Sequence, residues 1–302
     1  MTSLPPSCPV CGSAGLRPRP FGYSFDGQWL GAFECLTCRI IFIHPQPTAE
    51  DLTRLYSREY FEGDFRCGHA GSYFDEGNLS RLADHSLLER IKTHVPSGHF
   101  LEVGCAGGAF LNAAREEGFD VAGVEYSEDA AAFARRRFHL DVASGDLAQA
   151  RYAASSFDVA FMGDVLEHLT DPVATLREIH RVLRPGKLLV IHCPMQTNTL
   201  FSRAGFLMYS ILGKKATVHL PPYHLFEYRP ESMRYLLRMC GFDITLLKEA
   251  LFEPADVTLR GPLGQRIGNK ILQYPNSWLT SATGRYGDRV EVFATRSASR
   301  KT

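Results

Sequence analysis

A glycine-rich turn between a short apolar strand and an apolar helix pattern is the most informative feature of the sequence. The strand pattern at 100–103 stops at Gly104, the turn extends to Gly108, and a helix pattern follows at once. An acidic residue, Glu125, ends the next apolar segment. In open α/β sheets, such a turn lets the backbone approach a nucleoside cofactor, and the acid binds the ribose hydroxyls. The sequence therefore predicts a nucleoside cofactor at this turn.

Two CxxC pairs lie near the N-terminus. Their members are Cys8, Cys11, Cys35 and Cys38. Four thiolates with this spacing are typical of a structural zinc site, which has no open coordination position for catalysis. Alternating aromatic residues and the dipeptide Asp26-Gly27 lie between the pairs and predict a β-hairpin. We expect zinc to stabilise this module because so short a segment has little core of its own. The alternative is four buried cysteines without a metal.

Four further residues have side chains that could move a proton. His168 follows the predicted fourth strand, and Tyr223 and His224 follow a long insertion after the fifth. Histidine titrates near neutral pH, and tyrosine can orient or relay a proton. We therefore expect Tyr223 and His224 to form the acid/base pair, with His168 and His219 as further candidates. The alternative for each histidine is a capping or positioning role.

These residues have to be positioned by a sheet, because strand and helix patterns alternate from Phe100 onward. That alternation predicts an α/β fold with a doubly wound, mainly parallel sheet. Strands are predicted at 100–103, 121–125, near 142, and at 157–161, 187–193, 242–247 and 290–295. Candidate bases are expected at the carboxyl ends of these strands.

The predicted organisation has three parts. Residues 1–60 form the zinc-ribbon module, residues 61–95 a connecting helical segment, and residues 96–302 the α/β domain. Within that domain, 195–228 is longer than an ordinary strand–helix loop and is predicted to be a substrate lid or a surface for a second subunit. The segment at 250–288, an excursion between the last two predicted strands, has no predicted function.

Five segments occur in an order that resembles the motifs of class I S-adenosylmethionine-dependent methyltransferases. They are Leu101-Glu102-Val103-Gly104-Cys105-Ala106-Gly107-Gly108, Val124-Glu125, Gly145-Asp146, Phe157-Asp158-Val159 with Glu167-His168-Leu169, and Leu183-Arg184-Pro185-Gly186-Lys187-Leu188. The cysteine pairs, with the following Pro45-Gln46-Pro47-Thr48 and Leu55-Tyr56, resemble the zinc-ribbon start of a bacterial subgroup acting on small molecules. Some members of that subgroup are sugar C-methyltransferases.

The resemblance implies a seven-stranded sheet with an antiparallel last strand, and S-adenosylmethionine as the cofactor. It implies cofactor contacts from Glu102, Gly104, Ala106, Gly108, Glu125, Tyr126, Asp146, Leu147 and Asp164. The turn would line the methionine end, Glu125 would bind the ribose hydroxyls and Asp146 the adenine amino group. Asp164 would lie by the methionine end and the substrate mouth. Ala106 departs from the family, which has glycine there, and alanine resists a positive φ.

Charge and composition narrow the class of protein. Lys+Arg and Asp+Glu both number 33, so no basic footprint for nucleic acid is visible. No signal peptide and no span of roughly 20 apolar residues is recognised, which predicts a cytoplasmic protein with reduced cysteines and without a membrane span. A homodimer through the insertion is an open prediction.

The sequence predicts a methyltransferase acting on a small molecule. One alternative is an RNA methyltransferase that uses the zinc ribbon to bind nucleic acid, and another is a non-catalytic scaffold of the same fold. Taken by itself, the glycine turn would also fit a nicotinamide cofactor. A nicotinamide-binding fold does not account for the segments Gly145-Asp146 and Glu167-His168-Leu169, however.

Overall fold

The computed structural model describes residues 4–62, 71–218, 221–251 and 275–298. The candidate His219 and most of the predicted excursion at 250–288 lie outside these ranges. In chain order, the N-terminal elements are β1 (Leu16–Phe25), β2 (Gln28–Cys35), β3 (Ile41–His44), α1 (Ala49–Leu55), α2 (Arg58–Glu62), α3 (Glu76–Leu82) and α4 (His85–His94).

The remaining elements alternate between strand and helix over most of their length. They are β4 (His99–Val103), α5 (Ala109–Glu116), β5 (Asp120–Glu125), α6 (Glu128–Phe138), β6 (Val142–Ser144), β7 (Phe157–Gly163), α7 (Pro172–Val182), β8 (Leu183–Pro194), α8 (Leu200–Ile211), β9 (Ala216–Val218), β10 (Phe226–Glu227), α9 (Pro230–Met239), β11 (Phe242–Ala250) and β12 (Arg289–Arg296).

The large sheet has seven strands in the order β11-β12-β8-β7-β4-β5-β6. Neighbouring strands from β6 to β8 are parallel, and β12 is antiparallel to both of its neighbours. The predicted doubly wound, mainly parallel sheet of seven strands is confirmed, and the last strand is antiparallel as expected. Strand β8 begins at Leu183, earlier than the predicted Lys187, because the chain passes from α7 straight into pairing with β7.

The hairpin predicted between the cysteine pairs is formed by β1 and β2, which are antiparallel. Its turn residues Asp26 and Gly27 both have positive φ, 47° and 75°, as a two-residue hairpin turn requires. Thr48 caps α1 in a capping box with Asp51, which satisfies backbone N–H groups at the start of the helix.

The N-terminal strands belong to a five-stranded sheet with the order β10-β3-β2-β1-β9. Strand β9 pairs parallel with β1, and β10 pairs antiparallel with β3. The insertion at 195–228 therefore contributes both edges of the N-terminal sheet, which the sequence did not reveal because these strands are too short to leave a pattern. The domain boundaries proposed above stay a prediction.

One apolar core connects the two sheets. It joins Phe33 and Phe42 of the small sheet to Leu101 and Leu189 of the large sheet. Because the two sheets share this core, the segment that follows the small sheet is held against the carboxyl ends of the large sheet's strands. Residues of α1 and its C-cap thereby become part of the site.

Candidate active site

The glycine turn leaves β4 with its backbone in the left-handed region. Gly104, Ala106 and Gly108 have φ of 75°, 47° and 80°. A Cβ at Gly104 would lie 2.4 Å from Val165 Cγ2, and one at Gly108 would lie 2.8 Å from the Ala134 Cβ. Both glycines are thus required by conformation and by close packing. Ala106 keeps the positive φ despite its Cβ, at a cost of roughly 1 kcal/mol.

Glu125 holds the turn from the neighbouring strand. Its carboxylate is buried, and it accepts hydrogen bonds from the Ala106 N–H at 2.8 Å and the Ser127 N–H at 2.9 Å. These two bonds fix the carboxylate at the carboxyl end of β5, beside the turn. A ligand that reaches the turn would therefore meet an oriented negative charge.

Glu102 is a second buried carboxyl group beneath the same turn. Burial, and then the charge of Glu125, raises the pKa of Glu102 well above its usual range. Its Oε2 atom has no hydrogen-bond partner among the described residues. Buried polar atoms are nearly always hydrogen-bonded, so this oxygen has capacity for a donor that a ligand would bring.

A cavity of about 280 Å³ opens beside these elements. Its wall includes three predicted cofactor residues, Tyr126, Asp146 and Leu147, together with Tyr56 and His168. The turn residues and Glu102 are not among the residues that line it. The cavity therefore brings the predicted adenine contacts and one predicted proton-moving residue to a single space.

Asp146 has a local structural role as well. Its Oδ1 accepts a hydrogen bond from the Gln149 N–H at 2.8 Å, and Gln149 Oε1 accepts one from the Asp146 N–H at 3.0 Å. This reciprocal pair closes the turn after β6, as an N-terminal cap does. It fixes the direction of the Asp146 side chain in the cavity wall.

His168 is held at the end of a 3₁₀ turn that follows β7. Its Nδ1 lies 2.7 Å from the Tyr223 carbonyl oxygen and 3.0 Å from the Tyr56 hydroxyl. A carbonyl can only accept, so Nδ1 carries the proton and donates it. Nε2 then lies 3.4 Å from Glu167 Oε1. This arrangement fixes the ring orientation of His168.

His224 lies next to His168, with ring centroids 5.0 Å apart. Burial alone would lower the pKa of His224, but the nearby carboxylates outweigh it and the pKa is raised. Those carboxylates are Glu227, whose Oε1 is 3.6 Å from His224 Nδ1, Glu167 and Asp164. The structure thus places His224 among negative charges that stabilise its protonated form.

Tyr223 lies beside His168 in a cluster of aromatic rings, and its predicted role as a proton relay stays a prediction. Burial and the neighbouring Tyr73 raise the pKa of the Tyr223 phenol, which disfavours its phenolate at neutral pH. Its ring lies 5.0 Å from Tyr60 and 6.1 Å from Tyr56, forming an aromatic wall beside His168. The carbonyl group, rather than the phenol, contacts a histidine.

Asp164 follows β7 with a φ of 54° and forms an ion pair with Arg289 of β12. Sequence reasoning did not find Arg289 or Glu227. Glu227 had a recoverable signal, since it lies three residues after His224. Tyr56 and Arg289 had none, since they are 112 and 125 residues from the partners that they contact.

The four N-terminal cysteines converge as predicted. The Cys8–Cys38 and Cys11–Cys35 Sγ distances are 3.6 and 3.5 Å, and all four Sγ atoms lie within 4.8 Å of one another. A tetrahedral zinc with Zn–S bonds of about 2.3 Å would separate its sulfurs by about 3.8 Å. The cluster is therefore compatible with a zinc ribbon.

Comparison with known proteins gives a domain match, several relatives and a similar fold. Residues 101–191 match the family model described as "Methyltransferase domain". A probable S-adenosylmethionine-dependent methyltransferase of Mycolicibacterium smegmatis is 28% identical over 162 residues, covering 53% of this chain and 58% of that protein. A ubiquinone biosynthesis O-methyltransferase of Pseudomonas aeruginosa is 25% identical over 154 residues, covering 48% and 64%. The chain thus spans about six tenths of the length of these relatives.

Among solved structures, the [4+2]-cyclase SpnF has a TM-score of 0.54 at 17% identity, covering 84% of this chain and 99% of that one. This likeness concerns the fold alone, and a fold does not determine chemistry. In the part of the chain that the structure describes, no helix combines the length and apolarity needed to cross a bilayer.

Proposed function

We propose that this chain, which carries a methyltransferase domain of the S-adenosylmethionine-dependent class, transfers a methyl group to a small-molecule acceptor, such as a sugar or another secondary metabolite. The observation that carries the proposal is the shared cavity. Asp146 and Leu147, expected at the adenine, and His168, expected at the acceptor, line one space. A cofactor and an acceptor must meet in such a space for in-line transfer.

The residues of the turn fit the cofactor. Gly104 and Gly108 let the turn adopt a left-handed backbone while it packs against Val165 and Ala134. Glu125 presents an oriented carboxylate suited to two ribose hydroxyls. The buried Glu102 oxygen without a partner suits an ammonium or hydroxyl donor. When bound, S-adenosylmethionine supplies a methyl group on an electrophilic sulfonium.

His224 is the proposed base. In its neutral form it would accept the acceptor's proton, and Glu227 and Glu167 would stabilise the imidazolium that results. His168 would act as a positioning residue, because its Nδ1–H is committed to the Tyr223 carbonyl. Tyr223, the other expected member of the pair, would line the acceptor site with its ring.

The small-molecule acceptor is supported by the relatives and by charge. The Pseudomonas relative is named as an O-methyltransferase of ubiquinone biosynthesis. Equal numbers of acidic and basic residues disfavour the RNA alternative, since nucleic-acid binding depends on cationic contacts. A cytoplasmic location and a homodimer stay predictions.

Zinc is the proposed metal of the cysteine cluster, with a structural role. Metal analysis of the purified protein would give one zinc per chain, and chelation at elevated temperature would lower the melting temperature. Cys11→Ser would lose the metal, whereas Cys240→Ser, at a thiol outside the cluster, would keep it. A protein with no bound metal and unchanged melting in chelator would contradict a zinc site.

The decisive test of the function is calorimetry with S-adenosylmethionine, followed by a mass-spectrometric screen of metabolite and nucleotide-sugar pools for one added methyl group. We expect micromolar cofactor binding and a methylated product. Absence of cofactor binding would overturn the proposal. Cofactor binding with a product of unchanged mass would replace methyl transfer with another reaction on the same fold.

A further inference from the structure

Helix α8 lies on the surface with none of its residues buried, although most of them are apolar. Leu200, Leu207 and Ile211 recur at helical spacing and share one face. Leu207, Met208 and Ile211 are 62%, 53% and 76% exposed. Leu212, the C-cap, extends the same apolar surface at 57% exposure. Contiguous exposed apolar surface of this kind marks an interaction site.

The helix is well anchored, so its exposure does not reflect fraying. Phe206 stacks on Phe21 of β1 with ring centroids 4.8 Å apart. At the N-terminus, the Thr199 hydroxyl accepts a hydrogen bond from the Ser202 N–H at 3.1 Å. The Arg203 guanidinium donates to the Asn198 carbonyl and side-chain oxygens. One face therefore holds the helix to the protein, and the Leu207–Ile211 face is turned outward.

The charge along the segment of sequence that carries this helix has one sign. No aspartate or glutamate occurs between Glu178 and Glu227. Lys214 and Lys215 come after the C-cap Leu212 and Gly213, are exposed, and form no ion pair within the described ranges. An apolar helix face followed by exposed lysines is the pattern of helices that lie in a bilayer interface, where cations meet lipid phosphates.

A second helix contacts the N-terminal end of α8 and carries an exposed aromatic residue. Residues 275–283 are helical, and Asn276 Oδ1 accepts a hydrogen bond from the Leu200 N–H at 3.2 Å. Two residues later, Trp278 is 74% exposed. Tryptophan is enriched at the boundary between lipid and water, because its ring is apolar and its N–H is polar.

We propose that α8, together with Lys214 and Lys215, forms a surface that binds anionic lipid bilayers. A second copy of the chain fits this surface less well. A two-fold contact would bring the lysines of one copy against those of the other, and the segment has no acid to pair with them. Lipid phosphates supply the missing charge and acyl chains cover the leucines. The inference does not depend on the proposed function.

Vesicle sedimentation tests the surface directly. We expect binding to phosphatidylcholine vesicles containing phosphatidylglycerol, and much weaker binding to pure phosphatidylcholine. Lys214→Gln with Lys215→Gln should weaken binding on the order of 30-fold, since each cation contributes about 1 kcal/mol near an anionic surface. Leu207→Ser with Ile211→Ser should weaken it roughly 100-fold. Leu246→Ser, at an exposed leucine of β11, is the matched control and should bind as the wild type does.

Tryptophan fluorescence gives a second measurement that does not depend on sedimentation. The chain has two tryptophans, and Trp29→Phe leaves Trp278 as the only reporter. Its emission should shift to shorter wavelength on adding anionic vesicles. Absence of vesicle binding at low salt would overturn the proposal. So would a concentration-dependent dimer that Ile211→Ser abolishes, because the face would then be a self-interface. Cofactor calorimetry on the same variants should be unchanged, which separates this test from that of the proposed function.

Discussion

The proposed cofactor side and the proposed acceptor side of the site are built in different ways. The cofactor side consists of the turn at 104–108, Glu125 and Asp146, which follow three consecutive strands, β4, β5 and β6, at one end of the sheet. The acceptor side consists of Tyr56, His168 and His224, which come from three distant segments. Local backbone geometry holds the cofactor side, and long-range contacts hold the acceptor side. Mutations on the two sides should therefore have different effects on cofactor affinity and turnover.

The largest effect is expected on the acceptor side alone. His224→Ala removes the proposed base and should reduce turnover by about 10²–10⁴-fold. Cofactor affinity should not change, because the contacts of His224 within the described ranges do not include the turn. Steady-state kinetics with the acceptor found in the mass screen, paired with calorimetry, would measure both. His85→Ala, at an exposed histidine of α4, should keep full activity. A His224→Ala enzyme with wild-type turnover would move the base elsewhere.

The next largest effect should appear on the cofactor side. Glu125→Ala removes two charge-assisted bonds expected with the ribose and should weaken S-adenosylmethionine binding about 100-fold, measured by calorimetry. Because Glu125 also fixes Ala106 and Ser127, Glu125→Gln serves as a variant that keeps an acceptor oxygen. Glu128→Ala, at an exposed acid nearby, should leave affinity unchanged. Normal S-adenosylmethionine affinity in Glu125→Ala would show that the Glu125 carboxylate does not bind the cofactor.

A smaller effect is expected from Glu227, which helps to set the pKa of His224 on the acceptor side. Since Glu227 helps to raise the pKa of His224, Glu227→Gln should lower that pKa. A base must be neutral to accept a proton, so the acidic limb of the kcat/KM profile should move to lower pH, with little change at alkaline pH. The raised pKa also stabilises the fold below the unfolded pKa, and this stabilisation is lost as pH rises through the folded pKa. Glu227→Gln should flatten that part of the stability curve, and an unmoved acidic limb would contradict the assigned tuning.

The same contrast explains what could be predicted from the sequence. The turn, the strands and the hairpin could be predicted because their signals are local. These signals are the glycines of the turn, the apolar periodicity of the strands and the Asp26-Gly27 dipeptide of the hairpin. The cysteine cluster could be predicted because cysteines that bind zinc occur in pairs with a characteristic CxxC spacing. The Tyr56–His168 contact was not, because nothing near Tyr56 specifies a partner 112 residues away. The edge strands β9 and β10 were missed because two or three residues carry no periodicity.

Ala106 gives the smallest predicted effect, and it isolates backbone strain from ligand contact on the cofactor side. Alanine at a φ of 47° costs roughly 1 kcal/mol, while Ala106→Gly gains unfolded-state entropy that offsets part of the relief. We therefore expect Ala106→Gly to stabilise the protein by about 0.5 kcal/mol in urea titrations. Ala132→Gly, the same substitution within α6, should instead destabilise it by about 1 kcal/mol. Cofactor affinity should change less than about twofold. Glu125 accepts a hydrogen bond from the backbone N–H of residue 106, and alanine and glycine both have that group. Destabilisation by Ala106→Gly would mean that the alanine methyl group, which packs near Phe61 and Tyr73, matters more than the strain in its backbone.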